Sequence, residues 1–341
     1  MNSYYEARQH LNLSQYALDI IENDKYTFQA KPSFAQMINR VFELYRDFSN
    51  ASIENASLRH LEHIRASLAD EPDSPAKERI ISALIDRYKA ELISTANSYP
   101  RECPFKVQLN RRNYDYLTEW RDVDGAYDDI PGRFVKAVIE EYARKPLVER
   151  EGIVFRNLID RINTCIESHS LIAITLNNGN RFEVRPYGVV IDQGNNYHYL
   201  VGYSRRVREE NEHPSSFRIS NIKDCEPKGG RSGRITDTQK KELDSKIRTV
   251  GVQFLLQDSE LIRIRFSKRG KAMYDSQAHL RPAFTKRRED SDGSWVFEFN
   301  CTQIQAQYYF FKFGSDAEII SPPELRKEFF EQYSKARSLY G

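Results

Sequence analysis

Between residues 185 and 218, flat rings and permanent cations crowd into one short stretch: Arg185, Tyr187, Tyr197, His198, Tyr199, Tyr203, Arg205, Arg206 and Arg218. Unpaired nucleobases present π faces and a polynucleotide backbone presents regularly spaced charges, so rings interleaved with guanidiniums suit the capture of a single strand. His198 adds a further stacking surface and a hydrogen-bond donor. Alternation along a strand puts Tyr197, Tyr199 and Tyr203 on one side and His198 and Leu200 on the other, so one of those sides is expected to be core. A guanidinium is harder to bury than a ring, because it needs an anionic partner, which marks Arg218 as a binding candidate.

Bond-making chemistry finds no comparable support. Nucleophile elbow, P-loop, dinucleotide fingerprint and metal-ligand spacing are all missing from the sequence. His60 and His63 share a helical face with no third ligand to join them, and Cys103, Cys165, Cys225 and Cys301 lie far apart. No enzyme activity, metal or cofactor is expected. The 341 residues suffice for two to three domains, and 40% hydrophobic with 29% charged residues describes a soluble protein. No apolar run approaches a membrane span, and Met1 to Arg8 has no signal-peptide character, which together predict a cytoplasmic protein without membrane contact. A net charge of +2 is too small to identify a nucleic-acid binder, so clustering matters more. The clusters are Arg205, Arg206 and Arg208, then Lys228, Arg231 and Arg234 around a Gly-rich linker, then Lys286, Arg287 and Arg288 in an expected loop.

The elements that must position the aromatic stretch read as a β-meander. Leu171 to Leu176 and Arg181 to Arg185 flank the turn Asn177 to Asn180, and Pro186 to Ile191 continues it. A second turn at Gln193 to Asn196 leads to Tyr197 to Tyr203, and Ser216 to Ile219 with Ile222 and Lys223 closes the set. Downstream, Leu261 to Phe266 and Trp295 to Phe299 alternate as strands, with a turn at Asp292-Gly293. Ala317 to Arg326 then leads into an amphipathic helix ending at Tyr340.

This order resembles the WYL domain, a family of small Sm-like β-barrels found in bacterial ligand-responsive nucleic-acid-binding proteins. The resemblance rests on Arg185-Pro186-Tyr187-Gly188-Val189-Val190, on His198 to Tyr203 at the name-giving triplet, and on Phe217-Arg218-Ile219 with Ile222. His198 stands where the family usually has Trp, while Ser215 and Asn221 stand where its first and third arginines fall. The segment from Leu261 onward is similar to the C-terminal extension that follows such barrels.

The first half contains an internal repeat at a separation of about 96 residues. His10-Leu-Asn-Leu-Ser14 matches Lys106-Val-Gln-Leu-Asn110, each opening a short helix. Pro32-Ser33 and Pro131-Gly132 then open longer helices in which Ile38, Val41, Phe42 and Tyr45 match Val135, Val138, Ile139 and Tyr142. Strand, short helix, longer helix is the ribbon-helix-helix pattern, and two copies in one chain suggest a pseudo-dimer with paired strands. Leu11, Leu13, Val107 and Leu109 would then point inward, and His10, Asn12, Lys106 and Gln108 outward. An outward ribbon of this kind enters the DNA major groove in some members of the fold, where Asn12 and Gln108 could pair with adenine and Lys106 with guanine. The same polar positions also suit a ribbon that faces water or a protein partner.

The expected fold class is therefore α+β. Residues 1–150 form tandem ribbon-helix-helix units with an inserted helical hairpin, Ile53 to Leu68 and Ser74 to Ser94. Residues 151–228 form the Sm-like barrel behind a leading helix, Leu147 to Glu167. Residues 229–257 are a linker and 258–341 the extension. That combination is similar to WYL accessory proteins of type VI-D CRISPR systems, which bind single-stranded RNA and stimulate an RNA-guided, RNA-targeting effector nuclease. The resemblance implies a non-catalytic homodimer with single-stranded RNA and that nuclease as partners. Two other readings compete: a ligand-responsive transcriptional regulator that binds duplex DNA through its ribbon, and a protein-interaction scaffold.

Overall fold

The computed structural model describes residues 8–28, 32–192, 194, 196–207, 211–228, 233–249, 251–255, 260–277 and 281–341. Arg208, Arg231, Gln193, Asn195 and residues 229–232 of the expected linker lie outside them. The chain is α+β and divides into two compact units, Met1–Arg156 and Asn157–Gly341.

In the first unit, β1 (Arg8–Leu13) pairs antiparallel with β2 (Cys103–Gln108), His10 standing opposite Lys106. Period-two alternation sends Leu11, Leu13 and Val107 inward at 2% exposure or less. Each strand feeds a short helix and then a longer one: α1 (Gln15–Thr27) and α2 (Phe34–Tyr45) in the first repeat, α5 (Arg111–Glu119) and α6 (Pro131–Ala143) in the second. Ser14 and Asn110, the matched residues that end the strands, each accept a hydrogen bond from a backbone N–H three residues on, which starts the short helix. The matched apolar faces meet: Ile38, Val41 and Phe42 are fully buried with Val135, Val138 and Ile139, and Phe42 packs edge-on to Phe134 at 5.7 Å. Asn39 ties the repeats further, donating to the Gln108 carbonyl and accepting from the Asn110 N–H.

Between the repeats, α3 (Ile53–Ser67) and α4 (Pro75–Ser98) make the hairpin. His60 stacks on Tyr88 there, with ring centroids 4.1 Å apart. The leading helix is two helices, α7 (Leu147–Val154) and α8 (Arg156–Glu167). They break at Phe155, whose ring packs edge-on against Phe28 in the first unit's core.

The second unit holds two sheets. The first is antiparallel with order β6-β5-β4-β3-β7, from β3 (Ile172–Leu176), β4 (Arg181–Ile191), β5 (His198–Arg206), β6 (His213–Arg218) and β7 (Ile222–Pro227). The segments read as Arg181 to Arg185 and Pro186 to Ile191 are one strand, whose register shifts between Pro186 and Gly188. Proline has no N–H to offer the ladder, so an interior strand tolerates it at such a bulge. Gly202 lies opposite Pro186, and a Cβ at that position would run into the Arg185 carbonyl oxygen. Gly202→Ala is therefore expected to destabilise this sheet by about 2–4 kcal/mol, read by chemical denaturation. A loss under about 0.5 kcal/mol would show that the bend does not need the glycine.

The expected linker contains a helix, α9 (Asp237–Thr249). Its sequence is almost wholly polar, and only Leu243 and Ile247 enter a core, with Val201, Tyr203, Val252 and Leu255. Two apolar residues in thirteen leave too little periodicity to read.

The second sheet has order β11-β8-β10-β9, from β8 (Glu260–Phe266), β9 (Phe284–Glu289), β10 (Trp295–Cys301) and β11 (Ala317–Ser321). Helix α10 (Lys268–Ser276) follows β8 and α11 (Gln303–Phe310) follows β10, a β-α-β-β-α-β order of the ferredoxin-like kind, with α12 (Pro323–Tyr340) appended. One sheet face carries Ile262, Ile264, Phe266, Phe297 and Phe299 into a core completed by Tyr309, Phe310 and Phe313. Lys286, Arg287 and Arg288 correct the loop expectation, since they belong to strand β9. Every residue of β9 is exposed, so its alternation is invisible until β10 pairs with it.

Candidate nucleic-acid interface

The aromatic and cationic residues of the middle sheet do not share one groove, which corrects the expectation. Helix α9 covers one set, and a cavity along the sheet's edge collects the other. Tyr187, Tyr199 and Tyr203 lie on the side where α9 packs. The Tyr187 hydroxyl donates to Asp244 (2.5 Å) and the Tyr203 hydroxyl to Glu242, both on α9. The Asp244 hydrogen bond, with a contribution from burial, raises the Tyr187 pKa, and burial with the Glu242 contact does the same for Tyr203. Arg185 belongs to this layer: it donates to Glu212 (2.5 Å), to the Arg234 carbonyl (3.0 Å) and to Gln239 (3.3 Å). These groups hold a helix on the sheet.

Arg205, Arg206 and Arg218 border one cavity, Arg206 from the face that carries Phe182 and, by ladder register, Arg205 and Arg218 from the face that carries Tyr203 and Tyr199. They line this cavity of about 350 Å³ along edge strand β6, together with His213, Ser215 and Phe217 of that strand and with Leu176, Phe182 and Asn221. Phe182 and Phe217 pack at 5.0 Å as its apolar part, and the Arg206 guanidinium lies 5.9 Å from the Phe182 ring. Arg218 stands opposite Tyr199 in the ladder and stacks on Tyr197 at 3.4 Å, an arrangement that fixes the plane of its guanidinium. Arg205 makes two hydrogen bonds to Glu183 (2.6 and 3.0 Å). Those bonds are the main cause that keeps the Glu183 carboxyl below its ordinary range, and burial opposes them. His198 sits opposite Ile191 at the start of β5 and is not among the cavity-lining residues.

His213, Phe182 and Asn221 are functional candidates that sequence reasoning did not select. Asn221 lines the cavity, and its Oδ1 is buried with no hydrogen-bond partner among the described residues. Ser215, at another position where the WYL family carries arginine, is buried and accepts from Ser204 (2.7 Å). The signal for Phe182 was available, since it shares parity with buried Val184 near the start of β4, where the ladder sets it opposite Arg206.

The ribbon of the first unit places its outward residues as expected. His10 and Lys106 are exposed and directly opposite, while Asn12 and Gln108 are half-buried on the same face. Arg8 and Pro104 complete it, so the two diagonals of the ribbon differ in charge. The two long helices also start differently. Helix α2 closes its first turn with a capping box between Ser33 and Gln36, whereas α6 starts at Pro131 without a side-chain cap, and Gly132 sits so close to His10 that a Cβ would lie 2.8 Å from its carbonyl oxygen. A pair of equivalent phosphate-gripping helix starts is therefore not built.

Comparison with known proteins follows the same modules. Residues 258–336 match the WCX domain family. The matched WCX region is the ferredoxin-like sheet with its helices. Over nearly its whole length the chain is similar to a solved structure titled as a CRISPR Cas-related protein, with a TM-score of 0.76, 23% identity, and coverage of 98% of this chain and 94% of that one. At that identity the likeness establishes the fold. Proteasome accessory factor B/C (PafBC) of Arthrobacter aurescens also matches, at 12% identity over 68% of this chain and 38% of that one, with a TM-score of 0.28 that carries no argument. No curated protein matches. No helix among the described residues is long and apolar enough to cross a membrane, and no group of three or more His, Cys, Asp or Glu among them is arranged to hold a metal.

Proposed function

We propose that this protein is a non-catalytic CRISPR accessory protein that binds single-stranded RNA and stimulates an RNA-guided, RNA-targeting effector nuclease. The observation that carries the RNA-binding part is the cavity along β6, where Arg206, Arg218 and His213 surround an apolar floor beside the unsatisfied Asn221 acceptor. A volume of about 350 Å³ is in the range of small-ligand sites. An unstacked base rests on Phe182, its exocyclic N–H meets Asn221, and its phosphates meet Arg206 and Arg218 at the rim. The shared fold with a CRISPR Cas-related protein supports the CRISPR context. Two copies of the chain acting on one strand would raise the effective concentration of the second site, so we assign a homodimer.

Binding of labelled single-stranded RNA, single-stranded DNA and duplex DNA at two salt concentrations tests this reading. The expected order places single-stranded RNA first, with steep salt dependence and weak sequence preference. Preference for a specific duplex, lost on replacing His10 or Lys106, would instead establish the ribbon as an operator reader.

A further inference from the structure

We propose that the solvent-facing side of the β11-β8-β10-β9 sheet is a second binding site, for the sugar–phosphate backbone of a single-stranded polynucleotide. The proposal rests on the single-strand reading of the β6 cavity but uses none of its residues. Alternation turns the aromatic residues of β8 and β10 into the core and leaves Arg263, Arg265 and Glu298 outward. The ladders set these residues in two rows. Arg288, Val296, Arg265 and Glu318 form one, and Lys286, Glu298, Arg263 and Ser321 the other. The four cations thus make a grid about 7 Å along the strands and about 10 Å across them.

Side-chain exposures of 48% for Arg263, 45% for Arg265 and 73% for Arg288 leave the face open to a ligand. Arg263 pairs with Glu298 (3.0 Å), Arg265 with Glu318 (3.1 Å) and Arg288 with Asp290 (3.3 Å). Exposed pairs of this kind are weak, so a phosphate can take the carboxylate's place on the guanidinium. Lys286 makes no ion pair among the described residues. Of the residues pointing outward from the two central strands, Leu261 is an exposed apolar one and Val296 is buried beneath its neighbours, which leaves too little apolar surface for the centre of a protein interface. RNA-recognition sheets of four strands stack bases on outward aromatic side chains. Here the rings point inward, so the face reads charge and not base identity.

The test uses the full chain and a labelled oligouridylate, titrated over a range of salt concentrations. Lys286→Ala combined with Arg288→Ala should weaken binding about tenfold at low salt and reduce the log–log salt slope by about 1.4, two contacts at about 0.7 each. Glu298→Gln removes a competing carboxylate and should tighten binding about threefold, a gain that misfolding cannot imitate. Unchanged affinity and slope in both variants, alongside weakened binding by a β6-cavity variant, would overturn this site and leave the single-strand reading standing. Failure of the unaltered protein to bind oligouridylate would overturn both.

Discussion

Replacing Arg206 and Arg218 together with alanine is expected to lower affinity for single-stranded RNA about a hundredfold. Both residues line the cavity, Arg206 beside the Phe182 ring and Arg218 stacked on Tyr197. A charge-assisted hydrogen bond contributes about 1.5 kcal/mol at the low end, so two contribute about 3 kcal/mol, and each 1.4 kcal/mol is tenfold. Arg185→Ala provides the contrast. Its guanidinium is engaged by Glu212, Gln239 and the Arg234 carbonyl beside α9, so its loss should reduce the stability of the second unit and change RNA affinity by less than threefold. Anisotropy titrations on folded protein, with circular dichroism to verify folding, separate the two. If Arg185→Ala weakens RNA binding as much as the double variant, the assignment to the β6 cavity is wrong and the α9-covered layer must open to bind.

Asp24→Ala is expected to cost the first unit about 3–5 kcal/mol. Asp24 of α1 is 1% exposed and receives three hydrogen bonds, from Arg150 Nε (2.8 Å), Arg150 Nη2 (3.1 Å) and the Tyr142 hydroxyl (2.7 Å). Removing the carboxylate leaves a guanidinium and a hydroxyl buried without it, and the unpaired charge dominates the penalty. Since a whole domain is held by roughly 5–15 kcal/mol, such a loss consumes much of the unit's stability. Asp24→Asn keeps one acceptor and should cost less. Chemical denaturation reads both, and a loss below about 1 kcal/mol for the alanine variant would mean that water or a rearranged side chain reaches Arg150. The same triad ties α1 of the first repeat to α6 of the second and to α7, so the effect should extend to the whole first unit.

Much of the first unit was legible in advance because its signals are local. The alternation at Leu11 and Leu13 and at Val107 and Leu109, Ser14 and Asn110 as caps, and the helical spacing of Ile38, Val41, Phe42 and Tyr45 each depend on residues a few positions apart. Elements of the second unit that escaped notice lacked such patterns. Helix α9 is polar except for two contacts, β9 has no buried face, and α10 and α11 are short helices of nine and eight residues beside a core whose rings come mainly from other segments. The partners of the guanidiniums were illegible for another reason. Glu183 lies 22 residues from Arg205, Glu212 lies 27 from Arg185, and Asp244 lies 57 from Tyr187, so only the register of the strands and the docking of a helix bring these groups into contact.

By itself the sequence determined the α+β class, the duplicated strand–helix–helix unit, the outward residues of its ribbon and the concentration of rings and cations around the middle sheet. Periodicity and capping chemistry are written into neighbouring residues, and they survive without knowledge of the rest of the chain. Tertiary structure alone decided where each of those cations went. A guanidinium binds whichever anion the fold brings nearest, so Arg185 went to Glu212 and Arg205 to Glu183, while Arg206 and Arg218 came to the edge of a cavity. It also decided that the aromatic side chains of the WCX region face a core and its arginines face water, because pleating assigns opposite faces to adjacent residues only once the strands have paired.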